Sequence, residues 1–167
     1  MAVKPDEPWL RGPVKGVHPL LGATLHAYMQ TEEDLAQWTG GLTGAQIWSR
    51  PHGLAPVGFQ LRHIARSVDR LTTYLRGEQL TSQQLEAARS EMEPGAGREE
   101  LLEMDSRALQ DSERVIRALT PDTFTEARAV GRKQLPTTVA GLVVHLAEHT
   151  QRHVGQLIVT AKLARMV

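Results

Sequence analysis

Residues 139–164 read VAGLVVHLAEHTQRHVGQLIVTAKLA. Apolar residues return every three or four positions along this stretch, the period of a helix with one buried face, and no proline or paired glycine interrupts it. His145, His149 and His153 follow one another at spacings of four. Eight helical residues rise about 12 Å, so the three cannot share one ion, whereas two residues four apart rise about 6 Å and can converge on a metal with bonds near 2 Å. At about 100° per residue, with Leu142 as zero, His149 falls near −20° and His153 near +20°, while His145 lies near −60°. His149 and His153 therefore sit centrally on the apolar face, where an imidazole needs a partner. A metal would satisfy both; so would a separate buried acceptor for each, and spacing alone leaves both readings open.

Thr137 and Thr138 are the N-cap candidates for this helix, and the preceding stretch, broken by Gly131 and Pro136, reads as irregular. A helix over about 98–119 repeats apolar pairs every seven residues and ends at Thr120 and Pro121. Residues 78–97 are too polar and too interrupted for a core helix, although 82–91 suits a short one, so they form a long connection. Another helix, over about 56–77, places Val57, Leu61, Ile64, Val68, Leu71 and Leu75 at alternating spacings of four and three, the seam of a bundle. The first helix runs over about 17–38 and stops at Gly40 and Gly41; a single turn at 44–48 is the only order expected before Pro56.

Composition agrees with helices. Among 167 residues 41% are hydrophobic but only 4% aromatic, so aliphatic side chains build the core, and the length suits one domain spanning 1–167. Nineteen basic residues balance nineteen acidic ones, which removes the field that would attract nucleic acid or an anionic membrane. Without cysteine there is no disulfide, thiolate nucleophile or sulfur-ligated metal, so any metal is held by nitrogen and oxygen. Residues 1–17 lack the apolar run of a signal peptide and no stretch reaches the roughly 20 apolar residues of a membrane span, so a cytoplasmic location is expected.

A third ligand is open to several histidines. His18 begins the first helix on its apolar face, His26 lies within that helix, His52 falls in a loop, and His63 lies about 120° from the centre of its helix's aliphatic seam, on a flank with Gln60, Ser67 and Tyr74. As a buried carboxylate for acid–base work, Glu32 lies near the apolar face of the first helix, while Glu148 points away from the ligand stripe. Gln156 is placed to hold a ligand imidazole or to pair with backbone, and Gly155 in a helix interior suggests a close approach of another helix. Trp38, Trp48 and Phe59 read as caps on the core.

The segments APVGFQLRHIARSVDRL (55–71) and PTTVAGLVVHLAEHTQRHVGQL (136–157) resemble the DinB-like family, the DinB/YfiT-like metalloenzymes. PWLRGPVKGVHPLL (8–21) and EDLAQWTGGLT (33–43) read like a subgroup of it, so the likeness covers nearly the whole chain. In that family a histidine of the second helix joins an H-x-x-x-H pair, followed by x-G-Q, to bind a divalent ion. Carried over, His63 is the helix-two ligand, and His149 and His153 are the pair before Val154, Gly155 and Gln156. The resemblance further implies an all-α four-helix bundle of up-down-down-up connectivity, with the 78–97 connection crossing between helices two and three.

Three neutral imidazoles would leave a divalent ion, nickel or zinc, its full charge and open positions, as in a catalytic site. Hydrolysis of a small molecule and transfer of a low-molecular-weight thiol are both reachable, and the resemblance divides the same way; the alternative is a non-catalytic, stress-associated metal-binding dimer. A homodimer is expected from a second apolar flank of the last helix, formed by Val143, Val154, Ile158 and Ala161.

Overall fold

The computed structural model describes residues 6–166. Its four long helices are α1 (Pro19–Thr39), α3 (Val57–Leu75), α5 (Arg98–Arg117) and α6 (Val139–Ala164), joined by the short helices α2 (Gly44–Trp48) and α4 (Ser82–Arg89) and an antiparallel hairpin, β1 (Ala127–Val130) with β2 (Leu135–Thr138). The chain is mostly helical, and no helix among the described residues is long and apolar enough to cross a membrane.

Local chemistry sets the ends. Pro19 opens α1 behind the His18 cap, whose Nδ1 accepts from Leu20 N–H at 3.2 Å, and Gly41, at φ +76°, turns the chain away beyond Gly40. Thr43 with Gln46, and Thr81 with Gln84, close reciprocal capping boxes on α2 and α4. Of the two candidates for the last helix, Thr138 is the cap: its Oγ1 accepts from Gly141 N–H at 3.1 Å.

The stretch before α6 is more ordered than its sequence suggests. Ala127 pairs with Thr138 and Val130 with Leu135, Gly131 supplies the left-handed turn at φ +72°, and Arg128 Nε ties the ribbon to the Leu75 carbonyl at 2.8 Å. Pro136 is tolerated because in a two-stranded ribbon it can face the unpaired edge.

Each long helix packs on two others: α3 and α1 both lie against α5 and α6. Helix α3 also takes α2 and α4 on its remaining sides. It is consequently buried around most of its circumference, Gln60, Ser67 and Tyr74 included, which widens the buried face beyond the aliphatic seam and brings the His63 flank inside. Gly58 admits α2, since a Cβ there would lie 2.7 Å from the Trp48 ring. The second apolar flank of α6 is used within the chain: Val143, Val154 and Ala161 are buried and Ile158 packs on the core, so α1 and its neighbours cover the surface from which a homodimer was expected.

The interior divides into two apolar clusters, one around Leu25, Val68, Leu109 and Leu146, the other around Leu35, Leu61, Leu101 and Leu157. Between them, one residue per helix, come Thr31, Ala65, Asp105 and Thr150, each at most 2% exposed. Among the described residues, both Asp105 carboxylate oxygens and Thr150 Oγ1 are buried without a side chain or backbone group in full hydrogen-bond geometry. Burial pushes the Asp105 carboxyl well above the ordinary range, and the one donor acting against this is the Ala65 N–H, which already serves the helix's own ladder.

Candidate metal centre

His63 reaches inward from α3, and His149 and His153 from α6, one helical turn apart. The ring centroids lie 4.2 Å apart for His63 and His153, 4.6 Å for His149 and His153, and 5.3 Å for His63 and His149. One nitrogen of each falls within 4.8 Å of the others, an arrangement that could hold a metal ion. All three side chains are half-buried.

The back of each outer ring is tethered. His63 Nδ1 donates to Glu91 Oε2 at 2.6 Å, and Glu91 Oε1 accepts from Arg70 Nη1 at 2.7 Å. His153 Nδ1 donates to Gln60 Oε1 at 2.8 Å, and Gln60 Nε2 donates to Gln156 Oε1 at 3.2 Å. With Nδ1 committed as donor, the Nε2 of both rings carries the lone pair a metal requires. His63 Nε2 already faces His149 Nε2 at 3.2 Å, and Phe59 stacks on His63 with centroids 5.3 Å apart.

Electrostatics agree with ligand chemistry. Burial first, then the neighbouring His63, lowers both His149 and His153 to about 4, so both are neutral at pH 7, as metal ligation demands. Burial raises the Glu91 carboxyl, but hydrogen bonds from His63 and Arg70 outweigh it and leave the group below its usual value, ionised against the His63 ring. The donor set therefore fits a borderline divalent cation: nitrogen ligands, neutral rings and a buried carboxylate behind one of them.

Glu91 is the residue that sequence reasoning missed, and it comes from the 78–97 connection. Three arginines on one face of α3, four residues apart, hold that connection down. Arg62 Nη1 donates to the Ser90 carbonyl at 3.1 Å and also to the Glu93 carbonyl, Arg66 Nη1 donates to the Ala87 carbonyl, and Arg70 takes Glu91 itself. The Arg62–Arg66–Arg70 spacing, opposite a polar segment with one glutamate between serine and methionine, was the available signal.

The other candidates lie elsewhere. His145 is directed at Glu148 at 3.0 Å, with its side chain 44% exposed, and stays outside the group of three. His18 caps α1 and meets Phe124 edge-on, His26 lines a groove beside α1, and His52 sits exposed in a short turn. Glu32 accepts from Ser106 on the surface, and Glu148 pairs with His145 and Arg152. Gly155 meets no atom within 4 Å of a Cβ position, so the close helix approach expected there does not occur. It instead lines a cavity of about 580 Å³, walled also by Leu54, Ala55, Arg152 and Val159, that reaches Gln60 and Gln156 behind His153. Trp48 does close the core, donating Nε1 to the Ala96 carbonyl at 2.9 Å under Arg62.

No curated protein matches the chain. The sequence profile described as the DinB superfamily does match, over residues 27–157, a span that holds the three histidines, both tethers and the arginine face of α3. On that match, covering most of its length, the chain belongs to the DinB superfamily.

Proposed function

We propose that His63, His149 and His153 bind one divalent ion, nickel or zinc, and that the protein uses it as a metal-dependent hydrolase or thiol transferase on a small molecule in the cytoplasm. The observation carrying this reading is the pair of tethers: Glu91 and Gln60 each occupy an Nδ1, which leaves the Nε2 lone pairs to one shared acceptor. In keeping with the family, α1, α3, α5 and α6 are read as an up-down-down-up four-helix bundle, with the α4 segment as the crossover.

A bound ion of this kind acts as a Lewis acid and acidifies coordinated water or thiol. The protein's own groups set the terms. Glu91 fixes the His63 tautomer and adds a compensating negative charge, Gln60 and Gln156 hold His153, and Phe59 limits the His63 ring to one plane. Catalysis is favoured over a purely structural ion because, among the described residues, no carboxylate or fourth histidine joins the three nitrogens, which leaves coordination positions for water or substrate.

The decisive experiment follows the melting temperature with added nickel or zinc. Metal that binds the folded chain raises stability by mass action, so wild type should shift strongly and His63→Ala much less. A His63→Ala protein that keeps its metal content and the full shift would place the third ligand elsewhere.

A further inference from the structure

On the opposite side of α6 from the arginine face, a groove of about 530 Å³ runs between α1 and α6, closed at one end by the short turn Pro8–Leu10. That wall is fixed in place. Pro8 is buried, Arg11 forks onto Glu33 at 2.5 and 2.9 Å, and Arg11 Nε holds the Asp6 carbonyl at 2.7 Å.

Two indoles and two carboxylates line the groove: Trp9 and Trp38, Glu7 and Asp34. Trp9 is 63% exposed, yet its Nε1 is anchored to Glu7 Oε2 at 2.7 Å, so a large apolar surface is displayed in a defined orientation rather than folded away. Asp34 Oδ2 accepts from Gln30 Nε2 at 2.9 Å, and the second oxygen of each carboxylate has no hydrogen bond among the described residues. Among the described residues no lysine or arginine lines the groove, His26 being its one imidazole, although the Lys162 ammonium sits 4.7 Å from the Trp38 ring centroid just outside it, a cation already drawn to that indole. Carboxylates and indoles lining one groove are complementary to an alkylated ammonium group, whose charge the carboxylates balance and whose methyl groups the rings cover.

We propose that the α1–α6 groove binds a small organic ammonium ion, held by Trp9 and Trp38 and neutralised by Glu7 and Asp34. The groove shares no residue with the histidine centre, so this site stands independently of the metal.

The test is calorimetric titration of the full chain with choline, with and without a metal chelator. Its neutral isostere 3,3-dimethylbutan-1-ol, of the same shape without the charge, serves as control. Saturable binding of choline that persists in chelator, and is at least several-fold tighter than that of the isostere, is the expected result. Asp34→Asn and Trp9→Ala, both at positions with exposed or partly exposed side chains, should each weaken choline by roughly threefold to tenfold. No saturable binding of choline, equal binding of the isostere, or unchanged affinity in both variants would overturn the proposal. Loss of choline binding in chelator alone would assign it to the metal instead and overturn it as well.

Discussion

Two polar patches interrupt the apolar interior, and they are built on opposite terms. At the histidine centre, His63 and His153 each have a named acceptor, and those acceptors are themselves held, by Arg70 and by Gln156. In the middle of the core, Asp105 is more deeply buried than any of the histidines and, among the described residues, meets no donor beyond an Ala65 N–H that is already used in its own helix. The contrast teaches that burial alone does not make a site. A polar group becomes an instrument when its surplus valence is aimed by partners, and remains a cost when it is not.

The largest effect expected on the first side of this contrast is total. His149→Ala or His153→Ala should reduce bound nickel or zinc from stoichiometric to trace levels, measured by elemental analysis of protein purified without an affinity tag. Full occupancy in either variant would show that the pair does not form the centre.

Next comes the tether. Glu91→Gln keeps the shape but removes the charge that fixes His63, and metal affinity should fall about 10- to 100-fold, read by competition with a chelating dye. If affinity is unchanged, Glu91 serves only to dock its segment.

On the other side, Asp105 should limit stability in a pH-dependent way. Its folded value is raised above the unfolded one of about 3.9, so the native state keeps a proton that the unfolded chain has released. That contribution is complete below the unfolded value and is lost as pH rises through the folded one. Asp105→Asn cannot titrate, so it should match wild type near pH 4 and exceed it increasingly toward alkaline pH, by about 1–3 kcal/mol in urea unfolding. Parallel stability curves for the two proteins would mean that Asp105 finds a partner.

The smallest effect belongs to His145→Ala, which should leave metal content and melting temperature nearly unchanged, because its ring, although 5.3 Å from that of His149, is engaged with Glu148 and stays outside the group of three. A loss comparable to that at His149 would dissolve the distinction between aimed and unaimed histidines.

Much of the first patch was legible in the chain. The wheel position of His149 and His153 is fixed by the α6 period alone, and the structure keeps both on the inner face while His145 stays on the flank. His63 was legible only through resemblance, because periodicity scores aliphatic side chains, and α3 is buried on flanks that carry Gln60 and Ser67. Glu91 was not legible, since its meeting with His63 depends on the path of a polar crossover, which no helical period records. The 120–136 stretch hid a hairpin for a related reason: four-residue strands are too short to show alternation, and this ribbon depends on Arg128 reaching the end of α3. The flank of α6 taken as a sign of a second copy shows the converse limit, since it is covered within the chain and an apolar surface in sequence does not say which helix will cover it.

The three arginines of α3 carry a consequence for how this protein can change. Arg62 grips main-chain oxygens of the crossover, and Arg66 takes the Ala87 carbonyl together with the Ser90 hydroxyl at 3.2 Å. Any residue offers the same carbonyl, so substitutions between 87 and 93 leave the main-chain holds intact, and only the Ser90 hydroxyl and the Glu91 carboxylate are tied to a particular chemistry. Such a segment can diversify its outward surface over many generations while still delivering one carboxylate to the same imidazole, so variation at the rim is uncoupled from the geometry at the centre.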